Sequence, residues 1–239
     1  MSFDIPPAPI LLAGATGLLG GLALGLLAQG QRPVLAPTRR SVTHNNPKLH
    51  PIVSDLSDPA ADPALAEQLR RATPGKLVAY LCCLGTTIKT AGSRAAFEAV
   101  DHGLALRLGR IARELGASHA ILVSSVGADA KSSNFYLAVK GRTEADLAAL
   151  GFARVDCLRP GLLLGERKES RPGEALAQRL APLYNPLLLG PLRRYRSIAA
   201  ADVAKAAIAL LSQSAPGVFV HEHDSLVRLA TQPSTTRLA

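Results

Sequence analysis

At 239 residues, with 48% hydrophobic side chains, 4% aromatics and no tryptophan, the chain can bury a full core, and that core must be leucine, alanine, valine and isoleucine. This composition excludes a nucleic-acid reader built on aromatic stacking. The net charge of +9 is scattered over Arg39-Arg40, Arg70-Arg71 and Arg193-Arg194 rather than gathered in one stripe, so anionic cofactors or substrates fit it better than nucleic acid.

The apolar run Ile10 to Ala13 reads as a buried strand that stops at Gly14, with Gly17 and Gly20 following at intervals of three before a helical pattern through Leu18, Leu19, Leu22, Leu26 and Leu27. Gly20, Gly21 and Gly25 are expected to let this helix lie close to the sheet, and Gly30 to end it. Strand, glycine turn and helix in this order suit a dinucleotide: its pyrophosphate sits on a helix N-terminus, where side chains would block the backbone N–H groups. A second strand, Pro33 to Ala36, leads to Thr38-Arg39-Arg40. An acid there would favour a ribose 2′-hydroxyl, whereas arginines favour a 2′-phosphate, so NADP(H) is expected over NAD(H). A short third strand, His50 to Val53, delivers Asp55 toward an adenine site, with Asp58 a candidate helix cap.

A helix is expected from Pro63 to Arg71 and a strongly apolar fourth strand from Lys76 to Leu84, ending at Gly85-Thr86-Thr87. The next helix shows Phe97, Val100, Leu104, Leu108, Ile111 and Leu115 at core spacing between Gly92-Ser93 and Gly116. The fifth strand, Ala120 to Val123, hands Ser124-Ser125 to the same sheet edge, and a helix carrying Tyr136 and Lys140 runs to Leu150. The sixth strand, Val155 to Leu158, ends in Arg159-Pro160-Gly161, where Pro160 would fix a loop over a nicotinamide. Beyond it lie a charged substrate loop from Gly165 to Glu174, helices over 174–183 and 202–211, and a last strand, Gly217 to His221. Alternating strands and helices predict one domain over residues 1–239, an α/β doubly wound parallel sheet with a small substrate-binding part near 162–200.

Cys82, Cys83 and Cys157 lie in apolar runs without C-x-x-C spacing, so reduced core thiols and a cytoplasmic location are expected. The first nine residues hold Asp4 and three prolines, and neither a secretory signal nor a membrane span is expected. His221 and His223, flanking Glu222 on the last strand, would face one side of it, but no set of metal-ligand residues is apparent in the sequence.

Tyr136 and Lys140 at i and i+4 share a helix face, and a cation beside a phenol favours its ionised form. With a serine holding the substrate oxygen, such a tyrosine can give or take a proton while a nicotinamide exchanges hydride. These residues, in the order glycine turn, serine strand, tyrosine and lysine, resemble a short-chain dehydrogenase/reductase. GATGLLG, LCCLGTTIKTAGS, SSVGADAKSSNFYLAVKGRTEADL and RPGLLLGER resemble the atypical subgroup of Tat-interacting-protein oxidoreductases and their bacterial relatives, loosely described as nucleoside-diphosphate-sugar epimerases.

The resemblance implies that Gly14, Thr16, Gly17, Leu18, Leu19 and Gly20 meet the pyrophosphate side of the cofactor and that Arg39 and Arg40 meet the 2′-phosphate. It places Asp55 near adenine and Leu84, Gly85, Thr86, Pro160 and Gly161 along the cofactor. Tyr136 is the acid/base, Lys140 its activator and a ribose ligand, and Ser125 the substrate anchor, with Ser124 the alternative. Where standard members place an asparagine, this chain has Val100-Asp101. The expected activity is hydride transfer to or from a small carbonyl or alcohol substrate. The alternatives are an NADP(H)-holding redox sensor that regulates a protein partner, and a nucleotide-sugar epimerase. Homodimers in such enzymes form through the helices that here span Phe97 to Leu115 and Tyr136 to Leu150, although the same stripes are needed against the sheet.

Overall fold

The computed structural model describes residues 8–41, 46–73, 75–165 and 185–232. Its centre is a seven-stranded sheet in the order β3-β2-β1-β4-β5-β6-β9, every neighbouring pair parallel. The strands are β1 (Ile10–Ala13), β2 (Val34–Thr38), β3 (Leu49–Val53), β4 (Ala79–Cys82), β5 (His119–Val123), β6 (Arg154–Leu158) and β9 (Gly217–His221). A separate pair, β7 (Leu163–Leu164) with β8 (Ile198–Ala199), lies beyond the sheet's C-terminal edge. The order reverses between β1 and β4, and in such sheets the crevice at that reversal receives the ligand.

Each face of the sheet has its own helical cover. The helices α1 (Leu18–Leu27), α7 (Ala200–Leu210) and α8 (His223–Thr231) supply Leu19, Ala23, Val203, Ala207 and Leu226 to a cluster with Ile10, Leu12, Leu81 and Ile121. On the opposite face, α2 (Asp62–Arg71) and α5 (Ala105–Glu114) bury Leu65, Leu69, Leu108 and Ile111 against Leu11, Tyr80, Ala120 and Val155. Burying strands on both faces is what near-continuous apolar runs such as LVAYLCC do. Of the stripes considered for dimer contacts, Leu104, Leu108, Ile111, Leu115 and Leu147 pack into the cluster on the α2 and α5 face.

Short elements precede α5: α3 (Ile88–Ala91), α4 (Arg94–Glu98) capped by Ser93, and a π-helical turn over Ala99–Leu104. The expected continuous helix is thus interrupted, and its register changes. Val100 is only half-buried while Asp101 is 2% exposed, so the acid occupies the inward position expected for the valine. The π turn closes i→i+5 hydrogen bonds across this point. The helix carrying Tyr136 and Lys140, α6 (Phe135–Ala148), starts at Asn134, whose side chain accepts from Leu137 N.

The helix expected over 174–183 and most of the loop from 165 to 174 lie outside the described residues. His221 and His223 do not share a strand. β9 stops at His221 and α8 starts at His223, because Glu222 takes the extended N-cap position between them. His221 turns inward to Asp156 and His223 pairs with Asp224.

Candidate active site and cofactor cleft

The glycine turn is built by close backbone approach. Gly14 has φ +80°, and a Cβ there would stand 2.7 Å from the Cys83 carbonyl oxygen. A Cβ on Gly20 would collide with the Gly14 carbonyl, so the first turn of α1 rests directly on the strand end. No side chain caps α1, and its first turn contains no acid. Its N-terminal N–H groups and positive dipole end therefore stay available to an anion. Thr16 and Gly17 are exposed, Leu18 half-buried and Leu19 buried. The other glycines of α1 do less than expected: a Cβ on Gly25 would meet nothing within 4 Å.

At the end of β2, Arg39 and Arg40 are exposed, and the hydroxyl of Thr38 is buried without a hydrogen-bond partner among the described residues. Asp55 is exposed beyond β3, where its carboxylate accepts from the Ser57 hydroxyl and from Ser57 N at 3.0 Å. The Ser57 hydrogen bonds hold that carboxyl below its ordinary value. Asp58 accepts from Ala60 N at 2.9 Å, capping a 3₁₀ turn as its position suggested. Leu84, Gly85 and Thr86 continue β4 beside the Gly14 turn, and Cys83 N donates to Ala13 O at 2.9 Å.

Two structural ties bring the serines and the tyrosine to one neighbourhood. Asp129 N donates to Leu137 O, and Gly141 packs so tightly on Asp129 and Ala130 that a Cβ would collide with their backbone. The loop leaving β5 is thereby fixed to the first turns of α6. Ser124 is 5% exposed, with its hydroxyl unpartnered among the described residues. Ser125 is half-buried and makes only a 3.4 Å contact to the Val126 carbonyl. Tyr136 stacks its half-buried ring on the fully buried Phe97, centroids 5.5 Å apart.

Lys140 is 4% exposed, and its Nζ lies 2.7 Å from Asp101 Oδ1. Burial opposes its charge, but the Asp101 carboxylate, helped by Tyr136, outweighs that and holds the ammonium above the usual lysine value. The other Asp101 oxygen accepts from Thr86 N at 2.9 Å, and the Asp101 carbonyl accepts from the Thr143 hydroxyl at 3.2 Å. The sequence signal for this acid was its position: Phe97, Asp101, Leu104 and Leu108 are spaced four, three and four apart, as a buried face requires.

Pro160 and Gly161 close the same edge. Pro160 O accepts from Val126 N at 3.0 Å, and Gly161 lies flat against the Tyr195 and Arg196 carbonyls. Arg159 just before them forms a forked pair with the buried Glu144 at 3.0 and 3.2 Å from Nε. Donating to the Glu144 carboxylate holds its guanidinium above its ordinary value. An open hollow of about 660 Å³ between α6 and β9 is walled by Glu144, Arg159, Val218 and Val220; neither Ser125 nor Tyr136 lines it. Burial pushes the Cys157 thiol up to about 12 and raises that of Cys82 as well.

No protein-family model matches the chain. A protein of Aspergillus clavatus named fmp52, mitochondrial, is 35% identical over 192 residues, covering 77% of this chain and 78% of that protein. The rat protein HTATIP2 is 48% identical over 98 residues, covering 41% of this chain and 40% of its own. Among solved structures, a short-chain type dehydrogenase/reductase from Mycobacterium ulcerans superposes with TM-score 0.68 at 18% identity, over 95% of this chain and 92% of that one. MoeE5 in complex with UDP-glucose and NAD gives 0.64 at 18% identity, over 89% and 74%. Both bear out the fold. The expected cytoplasmic location is corrected by the relatives' names: those from Aspergillus clavatus, Candida albicans and Lodderomyces elongisporus are all called mitochondrial. Cysteine chemistry could not make that distinction, because reduced thiols suit either location; among the described residues no helix is long and apolar enough to cross a membrane. The chain belongs to the atypical short-chain dehydrogenase/reductase family of the FMP52 proteins.

Proposed function

We propose that this chain is an NADP(H)-dependent oxidoreductase acting on a small carbonyl or alcohol substrate. The observation that carries the reading is the buried Lys140 ammonium four residues from Tyr136, in a fold whose first strand ends in an uncapped glycine turn. The residues present fit the cofactor: the α1 N-terminus is open, and the Thr38 and Ser124 hydroxyls are buried with no partner among the described residues at the same sheet edge. Backbone groups from Gly14, Thr16, Gly17, Leu18, Leu19 and Gly20 would hold the pyrophosphate, and Arg39 and Arg40 the 2′-phosphate. Asp55 would approach the adenine, and Leu84, Gly85, Thr86, Pro160 and Gly161 would flank the rest. When bound, NADPH supplies the hydride for the carbonyl carbon.

Tyr136 gives its proton to the resulting alkoxide oxygen, and Lys140 steadies the charge left on the phenol. Ser125 orients the substrate oxygen; its hydroxyl is reachable, whereas that of Ser124 is enclosed. The test is a fluorescence titration with NADPH and with NADH. Wild type is expected to select NADPH, and Arg39→Ala/Arg40→Ala to lose about 10- to 100-fold in NADPH affinity, the scale of one or two charged hydrogen bonds. Equal binding of NADH by the wild type would refute the NADP(H) preference. Tight binding without consumption across a carbonyl panel would favour the redox-sensing alternative.

A further inference from the structure

We propose that Asp101 is a positioning residue for the Tyr136–Lys140 pair: its buried carboxylate anchors the Lys140 ammonium to the Thr86 loop and supplies its counter-charge. The inference rests on the oxidoreductase reading above and adds a residue to it. Three observations meet at this one side chain. Asp101 has no exposed side-chain surface and lies 2.7 Å from Lys140 Nζ. Its second oxygen takes the Thr86 N–H at 2.9 Å, on the loop that continues β4 beside the glycine turn. Finally, it lies on the π turn over Ala99–Leu104, and such turns recur at functional sites.

The charged and titratable groups acting on Lys140 are Asp101 from the π turn, Tyr136 from its own helix and Cys82 from β4. Burial raises the Cys82 thiol and keeps it neutral. Asp101 is thus the carboxylate that balances a lysine enclosed among apolar neighbours, where burial alone would drive the proton off. Thr143 closes the arrangement by bonding both the Asp101 and the Val139 carbonyls, at 3.2 and 2.8 Å, which ties the π turn to α6. The carboxylate therefore connects three things that must keep register: the ammonium, the helix of the acid/base tyrosine and the Thr86 loop.

The discriminating variant is Asp101→Asn. It preserves volume, and its amide oxygen can still accept from Thr86 N, but an N–H then faces the Lys140 nitrogen and the counter-charge is gone. Two readouts are taken. In carbon-13 NMR of protein labelled at lysine Cε, with the Lys140 signal assigned by Lys140→Met, wild-type Lys140 is expected to titrate later than exposed lysines and the Asp101→Asn lysine earlier than them. Turnover with NADPH should fall by about tenfold more between neutral and alkaline pH in the variant than in the wild type, and recover when the pH is lowered; a lysine that loses its proton about one pH unit earlier produces a tenfold difference.

Identical lysine titration in wild type and variant overturns the proposal. A wild type that shows no turnover refutes the oxidoreductase reading alone, and the lysine titration still decides this one. Should Asp101→Asn fail to fold, Lys140→Met is compared with the Asp101→Asn/Lys140→Met double variant. The single change strands a buried carboxylate, so the double variant is expected to melt at the higher temperature. A double variant that melts no higher overturns the pairing.

Discussion

Two carboxylates among the described residues are wholly enclosed, and they are held in opposite ways. Asp156, in the middle of β6, is surrounded: His119 Nε2 at 2.6 Å, His221 Nε2 at 2.7 Å, and Arg154 at 2.6 Å from Nε and 2.8 Å from Nη2. Burial works against its charge, yet the bonds from His119, His221 and Arg154 together hold its carboxyl well below the usual carboxylate range. All of those partners come from β5, β6 and β9, so the group fastens the last strand to the sheet. Asp101 instead has one cation and one backbone N–H, and its cation is also the neighbour of Tyr136. A carboxylate whose partners all serve it is structural; one whose cation also neighbours the proposed acid/base is the one proposed to serve the chemistry.

Four changes separate the two cases. Tyr136→Phe is expected to reduce turnover by about 10²- to 10⁴-fold, the range for losing a general acid, while NADPH binding persists. Stopped-flow hydride transfer with separate cofactor titration reads both, and unchanged turnover would remove the tyrosine from the mechanism. Asp156→Ala strands Arg154 and is expected to cost about 3–5 kcal/mol of stability in urea unfolding. Turnover per folded molecule should hold, and a loss at full folding would erase the distinction drawn between the two sites.

The acid limb of stability sharpens the contrast. Because the native Asp156 carboxyl titrates below its unfolded value of about 3.9, its contribution is complete above that pH and is lost as the pH falls toward the native value. Wild-type urea midpoints should therefore drop more steeply below about pH 4 than those of Asp156→Asn; parallel curves would mean the cluster contributes little. Gly141→Ala forces a Cβ against the Ala130 backbone and is expected to cost about 1–3 kcal/mol. Turnover should fall with it, because the serine loop is displaced from α6; a fall in stability alone would detach that contact from catalysis.

The strands and the glycine turn were legible because both rest on local patterns: apolar runs of strand length, each followed by small residues where the next element starts. The helix stripe from Leu104 to Leu115 was legible for the same reason. What local periodicity could not show was the π turn. It is confined to Ala99–Leu104, with Asp101 buried, Val100 half-buried and the later leucines still inward. The inward turn of His221 was hidden too, since its partner Asp156 lies on another strand and looked from the sequence like one polar residue in an apolar run. The likeness of Tyr136, Lys140 and the serines to a reductase site could be read, but the carboxylate behind the lysine needed the third dimension.

The all-parallel ladder also has a consequence for the order in which the protein can assemble. No strand of the described sheet pairs through a hairpin, and β1 finds its inner neighbour only in β4, with Leu11 opposite Tyr80 and Ala13 opposite Cys82. The Gly14 turn leans on the Cys83 carbonyl, so the N-terminal end of α1 cannot reach its final shape until the chain through β4 has been made and docked. Closing so long a loop is entropically slow. The glycine-turn corner, although encoded near the start of the chain, is therefore a late product of folding.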